Sequence, residues 1–172
     1  KDRGENSAHE IFDSVRGATK TINSNVNNVE ATQADTLKSF DSDGFTLGNN
    51  GDINYSGSNT YIAWNWKAGG SASSNSDGGI TSSVSANTTA GFSIVSYTGT
   101  GSAATVGHGL GVKPKVMIVK NRDATENWMT YHEEIDATAP EDYYVLLNSN
   151  AARVDESTVW NDTAPTSSVF SV

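Results

Sequence analysis

Three histidines, His9, His108 and His132, are the first residues to weigh for chemistry, because imidazole both ligates metals and moves protons near neutral pH. They lie far apart, with no H-x-H or H-x-x-x-H pair, so a zinc site would need three separate elements to converge. Asp41-x-Asp43-Gly44 resembles the opening of a calcium loop. The EF-hand pattern closes on a bidentate Glu, and Asp52 stands at that place, which leaves an Asp-Gly turn as the better reading. Gly99-Thr100-Gly101-Ser102-Ala103-Ala104 satisfies G-x-G-x-x-[GA] after an apolar run. A dinucleotide fingerprint continues into a helix whose N-terminus holds the pyrophosphate, and Val106-Gly107-His108-Gly109 breaks helices. Glu133-Glu134 and Glu141-Asp142 could supply the carboxylate pair of a glycosidase, although such clusters are ordinarily solvated loops. The chain has no Cys and no G-x-S-x-G nucleophile elbow. None of these patterns implies a cofactor or a metal, and the expectation is a protein that is not an enzyme.

Binding is the remaining class of function. Trp128, Tyr131 and His132 are the candidates for contact with a glycan: they follow a polar turn and precede Glu133-Glu134, and sugars bind through aromatic faces with polar groups beside them. The competing reading places Trp128 in the core. Gly107, Gly109 and Gly111 are candidates for close packing between chains, since missing side chains let backbones approach; tight turns within one chain would need the same glycines. His108, between two of them, reads as a turn residue whose ring caps a carbonyl.

The elements that position these residues are short strands. Hydrophobic residues make up 35% of the 172, and Gly, Ser, Thr and Asn fill much of the rest, a composition that favours strands and turns over helices with wide apolar stripes. The expected fold is all-β, of β-sandwich or jelly-roll-like tandem units with little helix. Residues 91–122 organise the chain. Phe92, Ile94, Val95 and Tyr97 form one apolar run and residues 116–119 another, each apolar on both faces, as suits inner strands. In residues 60–67, Ile62, Trp64 and Trp66 alternate with smaller or polar residues, the period of a half-buried strand; both indoles are expected to be core anchors. Residues 7–16 begin with the capping box Ser7-Ala8-His9-Glu10, a helix signal, set against a strand at the matching place of a second copy. We take the strand.

That second copy is an internal repeat. Lys1-Asp2-Arg3 returns as Lys120-Asn121-Arg122, Phe12 falls where Tyr131 does, Ile22-Asn23-Ser24-Asn25 matches Leu147-Asn148-Ser149-Asn150, and Phe45-Thr46-Leu47 matches Phe170-Ser171-Val172. Two copies of a unit of about 120 residues suit tandem domains. The division expected is residues 1–68 as the C-terminal part of a first β unit, 69–79 as a Gly/Ser linker, and 80–172 as a second unit. The chain then begins where a strand should have ended and stops in mid-strand, so its ends are expected to pair with further polypeptide or a neighbouring subunit.

Lys and Arg number 11 against 20 Asp and Glu, a formal charge of -9, which argues against nucleic acid as a partner. No apolar run of about 18 residues occurs, so no membrane insertion is expected.

The blocks FDSVRGATK (12–20), SFDSDGFTLG (39–48), YIAWNWKAGG (61–70), GFSIVSYTGTGS (91–102), HGLGVKPKVMIVKNR (108–122) and WNDTAPTSSVF (160–170) together resemble a family of repeated β-rich domains found in virion proteins of bacteriophages, particularly phages of marine bacteria. The resemblance covers nearly the whole chain. It implies a structural or adhesive virion component such as a tail fibre, displayed on the virion surface and used for host attachment. It brings no catalytic residues. The implied partners are other virion proteins, further copies of the chain, with a homotrimer favoured, and a host surface glycan. A capsid decoration protein and a polysaccharide-degrading tailspike are the alternatives.

Overall fold

The computed structural model describes all of residues 1–172. Its first half holds β1 (Glu10–Ile11), β2 (Lys20–Asn23), β3 (Ala31–Thr32), β4 (Leu37–Phe40), β5 (Phe45–Leu47) and the one-turn helix α1 (Gly51–Asn54). The strands β6 (Ser73–Asn75), β7 (Ser82–Asn87), β8 (Phe92–Ser96) and β9 (Thr105–Gly107) follow. The remainder carries β10 (Val116–Val119), β11 (Met129–His132), a 3-10 turn (Pro140–Asp142), β12 (Tyr143–Leu146), β13 (Val154–Asp155) and β14 (Val169–Ser171). The fold is all-β, as composition implied. Five small antiparallel sheets run in the orders β1-β2-β3, β4-β5, β6-β7-β8, β10-β11-β12-β13 and β14-β9.

One pairing pattern occurs twice. Glu10 faces Asn23 and Ile11 faces Ile22, while Lys20 faces Thr32 and Thr21 faces Ala31. In the other half Met129 faces Leu146 and Thr130 faces Val145, while Tyr143 faces Asp155 and Tyr144 faces Val154. Hydrogen bonds beyond the ladders match too. His9 N–H donates to Asn25 Oδ1 at 2.8 Å and Trp128 N–H to Asn148 Oδ1 at 2.9 Å; Ser24 N–H reaches His9 O, and Leu147 N–H reaches Trp128 O. The loop closed by Met129 and Leu146 is four residues longer than that closed by Glu10 and Asn23 (146 − 129 against 23 − 10). Asn25 therefore corresponds to Asn148, which corrects the match of Asn23 with Asn148 by two residues. Residues 7–16 form no helix; the strand expected there is confined to β1 and is followed by a turn. Val15 and Arg16 N–H groups both donate to Asp13 Oδ1, so the capping-box signal yields to a local Asp turn.

The main core lies in the second half, where Ile80, Val106, Met117, Tyr131, Trp160 and Phe170 are buried together. Phe170 faces Val106 across the β14-β9 ladder, and Ile80 adds a parallel bridge to Val106. Trp160 meets Tyr131 edge-on, 6.2 Å between ring centroids, and its Nε1–H donates to Tyr143 O at 3.1 Å. An indole can be buried here because that carbonyl satisfies its donor.

Residues 69–79 hold β6, whose Ser73 faces Val84 and whose Asn75 faces Ser82; that stretch belongs to a sheet where composition suggested a linker. Asn-rich residues 23–35 contain β3. The Asp-Gly hairpin of β4 and β5 is as expected: Asp41 N–H donates to Gly44 O, and the Asp41 carboxylate accepts from Ser39 and Thr46 hydroxyls. Those bonds engage both carboxylate oxygens of Asp41 in the hairpin.

Candidate interaction surface

The outward face of the chain is unusually apolar along two strand-like segments. Trp64 and Trp66 are 74% and 67% exposed, which corrects their placement in the core. Their alternation is real, but the backbone pairing of residues 60–66 is confined to the bridge from Tyr61 to Asp2 and the bonds that flank it, and without a paired sheet the alternating face has little to bury itself against. Trp66 stacks on Phe92 at 6.2 Å with an interplanar angle of 23°. The second segment is β10. It is the outer strand of its sheet; Met117 points inward, while Val116 and Ile118 are 47% and 49% exposed. A continuous apolar run suggested an inner strand. Pro114, two residues upstream, was the sequence signal for an edge, because proline cannot donate to a ladder.

The other candidates move inward. Tyr131 is fully buried and Trp128 nearly so. Trp128 Nε1–H donates to Asn23 O at 2.8 Å and Val26 O at 3.1 Å, which ties the two halves of the chain together. Neither ring offers a face to a sugar. His132 alone of the three stays at the surface, its Nδ1 accepting from Glu134 N–H at 3.1 Å. The aromatic-polar pattern of residues 128–132 was an alternating core strand: Trp128 contacts the first half, Thr130 is buried, and Tyr131 enters the main core.

The glycines serve the chain itself. A Cβ on Gly107 would fall 2.7 Å from Asn75 Cγ, and Gly109 and Gly111 have φ of +70° and +73°, the left-handed region that disfavours other residues. The close packing expected between chains is close packing of Gly107 against β6 and two turns. His108 caps Thr166 O through Nε2 at 3.3 Å and accepts Leu110 N–H at Nδ1, so the Nε2–H tautomer is the one its partners select. Burial pushes its pKa down.

No cluster of three or more His, Asp or Glu side chains is placed to hold a metal. Glu133 is paired with Lys115. Asp136 Oδ1 accepts from Thr138 N–H and Oγ1 and from Ala139 N–H, and Arg153 binds its Oδ2 at 2.9 Å; these bonds, led by Thr138 N–H, hold its carboxyl well below the usual range. Asp13 and Arg16 repeat this arrangement in the first half. Arg16 also reaches Glu30 at 3.2 Å, and Arg122 joins Glu30 from the second half at 3.4 Å. A backbone bond from Glu30 N–H to Arg122 O runs beside them. Of the acidic residues considered for glycoside chemistry, Glu133 is thus already engaged, by Lys115.

The model of a family described as a domain of unknown function, DUF7483, matches residues 1–172. The chain belongs to this family. No curated protein and no solved structure matches it. In this DUF7483 chain no helix is long and apolar enough to cross a membrane.

Proposed function

We propose that this chain is a non-enzymatic structural component of a bacteriophage virion, part of a tail fibre or similar surface appendage used for host attachment. The observation that carries the reading is the pair of outward apolar strand segments, residues 61–66 and β10, on an all-β chain whose pairing pattern occurs twice. Exposed strand edges are what such chains use to join one another, and the sequence blocks that resemble phage virion domains supply the biological setting. The engagement of Glu133, one of the carboxylates considered for glycoside chemistry, by Lys115 supports a structural over a hydrolytic role.

An antibody against the chain, applied to whole virions and imaged by electron microscopy, tests the assignment. Labelling of the tail tip or fibres, with antibody blocking adsorption to host cells, is the expected result. Labelling spread over the capsid would replace the appendage by a decoration role, and release of reducing sugar from host polysaccharide would make the chain a tailspike enzyme.

A further inference from the structure

No sheet takes strands from both halves of the chain: β1 to β5 pair among themselves within residues 1–60, and β6 to β14 within residues 71–172. No core is shared either. Every residue of the main core, and every partly buried one packed against it, lies between Ile80 and Val172, while the buried aliphatic residues of the first half are Ile22, Leu37 and Ile53. The hydrogen bonds between the two spans come from two residues, Arg122 and Trp128. Arg122 O accepts Glu30 N–H at 2.9 Å and the guanidinium reaches Glu30 Oε2 at 3.4 Å, while Trp128 Nε1–H donates to Asn23 O and Val26 O.

The groups at this seam keep a partner or meet water if it parts. Glu30 retains Arg16, whose guanidinium also binds Asp13 and the carbonyls of Ile11 and Lys20, so no carboxylate is left buried and unpaired. The Arg122 side chain is already partly exposed, and Trp128 N–H stays with Asn148 Oδ1. The indole is what holds the seam shut: its ring is buried and its N–H carries two of the four bonds. Each half meanwhile has bonds of its own. Gln33 N–H is held by Thr19 O and Gly48 N–H by Thr36 O in the first, and Ala104 and Val172 exchange a pair of bonds in the second.

We propose that residues 122–128 and 23–30 form a releasable latch, which parts in one step as Trp128 leaves the loop of Asn23 and Val26 while both halves remain folded. The chain then swings on residues 61–70, its single covalent crossing between the halves. Two indole bonds and a buried ring keep the shut form on the order of 100-fold or more above the open one. The inference goes beyond the virion assignment and does not rest on it.

Hydrogen exchange followed residue by residue on the full chain tests the latch, because with fast reclosing the protection factor of an N–H reads the ratio of shut to open forms. Trp128 Nε1–H and Glu30 N–H should share one protection factor, at least about tenfold below those of Gln33, Gly48 and Val172 N–H. Trp128→Phe keeps a ring in place and removes both indole bonds; it should lower protection of Glu30 N–H by about tenfold or more and leave Gln33 and Val172 unchanged. Arg122→Met keeps the backbone bond and loses the ion pair. It should lower Trp128 Nε1–H and Glu30 N–H by one common factor, about two- to fivefold, and remove their dependence on salt. Different protection factors for these two groups in the parent, or an unequal response to Arg122→Met, would mean that the seam does not part in one step. Factors equal to that of Val172 would mean that the halves separate only on global unfolding, and loss of Gln33 and Gly48 protection together with the latch would mean that the first half unfolds. Each of these results overturns the proposal.

Discussion

Replacing Gly107 by Ala tests whether the glycine series serves packing within one chain. The φ of Gly107 lies outside the left-handed region, so alanine adds no backbone strain, only volume. The new methyl would overlap the Asn75 amide, 2.7 Å from Cγ. That amide is the end of a side chain and can rotate away, at the loss of two bonds: Asn75 Oδ1 from Asp77 N–H at 2.9 Å and Asn75 Nδ2 to Asp77 Oδ2 at 3.0 Å. Each is worth about 1 kcal/mol, while Gly→Ala at an unstrained site returns about 0.4 to 1 kcal/mol through the unfolded chain. The net loss for Gly107→Ala is about 1 to 1.5 kcal/mol, or roughly 2 to 6 °C in Tm for a chain of this size. Asn75→Ala alone loses the same bonds and costs about 2 kcal/mol. The double variant loses them once and keeps the entropic gain, so it should be no less stable than Asn75→Ala. Urea titration of the four proteins gives the coupling directly. If Gly107→Ala costs as much in the Asn75→Ala background as in the parent, or changes the sedimentation coefficient in place of the stability, the contact with Asn75 is not what glycine is there for.

Four further outcomes follow from the geometry. Gly48→Ala and Gly78→Ala should be more damaging than Gly107→Ala in the same titration, because their methyls would meet the backbone carbons of Asp35 and Thr105, each at 2.6 Å, and backbone cannot swing aside. Glu10→Gln should raise Tm at pH 7 and have little effect near pH 4. Burial raises the Glu10 pKa above 4.5 and its Oε2 has no partner, so the ionised form costs stability that is recovered as pH falls from the raised folded value towards 4.5. His108 behaves in the opposite sense: with its folded pKa pushed down from 6.5, stability should decline as pH drops below about 6.5, and a flat profile in His108→Gln by thermal melts at pH 5 to 7 would identify the source. Iodide should quench Trp64 and Trp66 in dilute protein and leave Trp128 and Trp160 untouched, read by emission of the double Phe variant at the first two positions.

The turns were legible in the sequence because their causes are local. Asp41-Ser42-Asp43-Gly44 makes its hairpin from its own side chains, and His108 caps a carbonyl between glycines as its setting suggests. Burial was less legible, because it depends on what lies opposite. Trp64 and Trp66 have the alternation of a core strand and lack a sheet to pair with; Trp128 and Tyr131 look like a binding platform and are covered, one by the loop at Asn23 and Val26, the other by Trp160. The edge position of β10 was hidden by its apolar composition, since a run of apolar residues on both faces reads as an inner strand whatever lies beside it.

The closure of the main core by β14 sets the order in which the chain can fold. The meander β10-β11-β12-β13 needs only neighbouring segments, whereas Phe170 must find Val106 across more than sixty intervening residues, and loop-closure entropy has to be met before that contact returns anything. The meander should therefore form early and the β14-β9 ladder last. In stopped-flow experiments Phe170→Leu should then accelerate unfolding while leaving refolding nearly unchanged, and Thr130→Ser should slow refolding. During synthesis the β9 edge that β14 covers stays accessible until β14 itself has emerged.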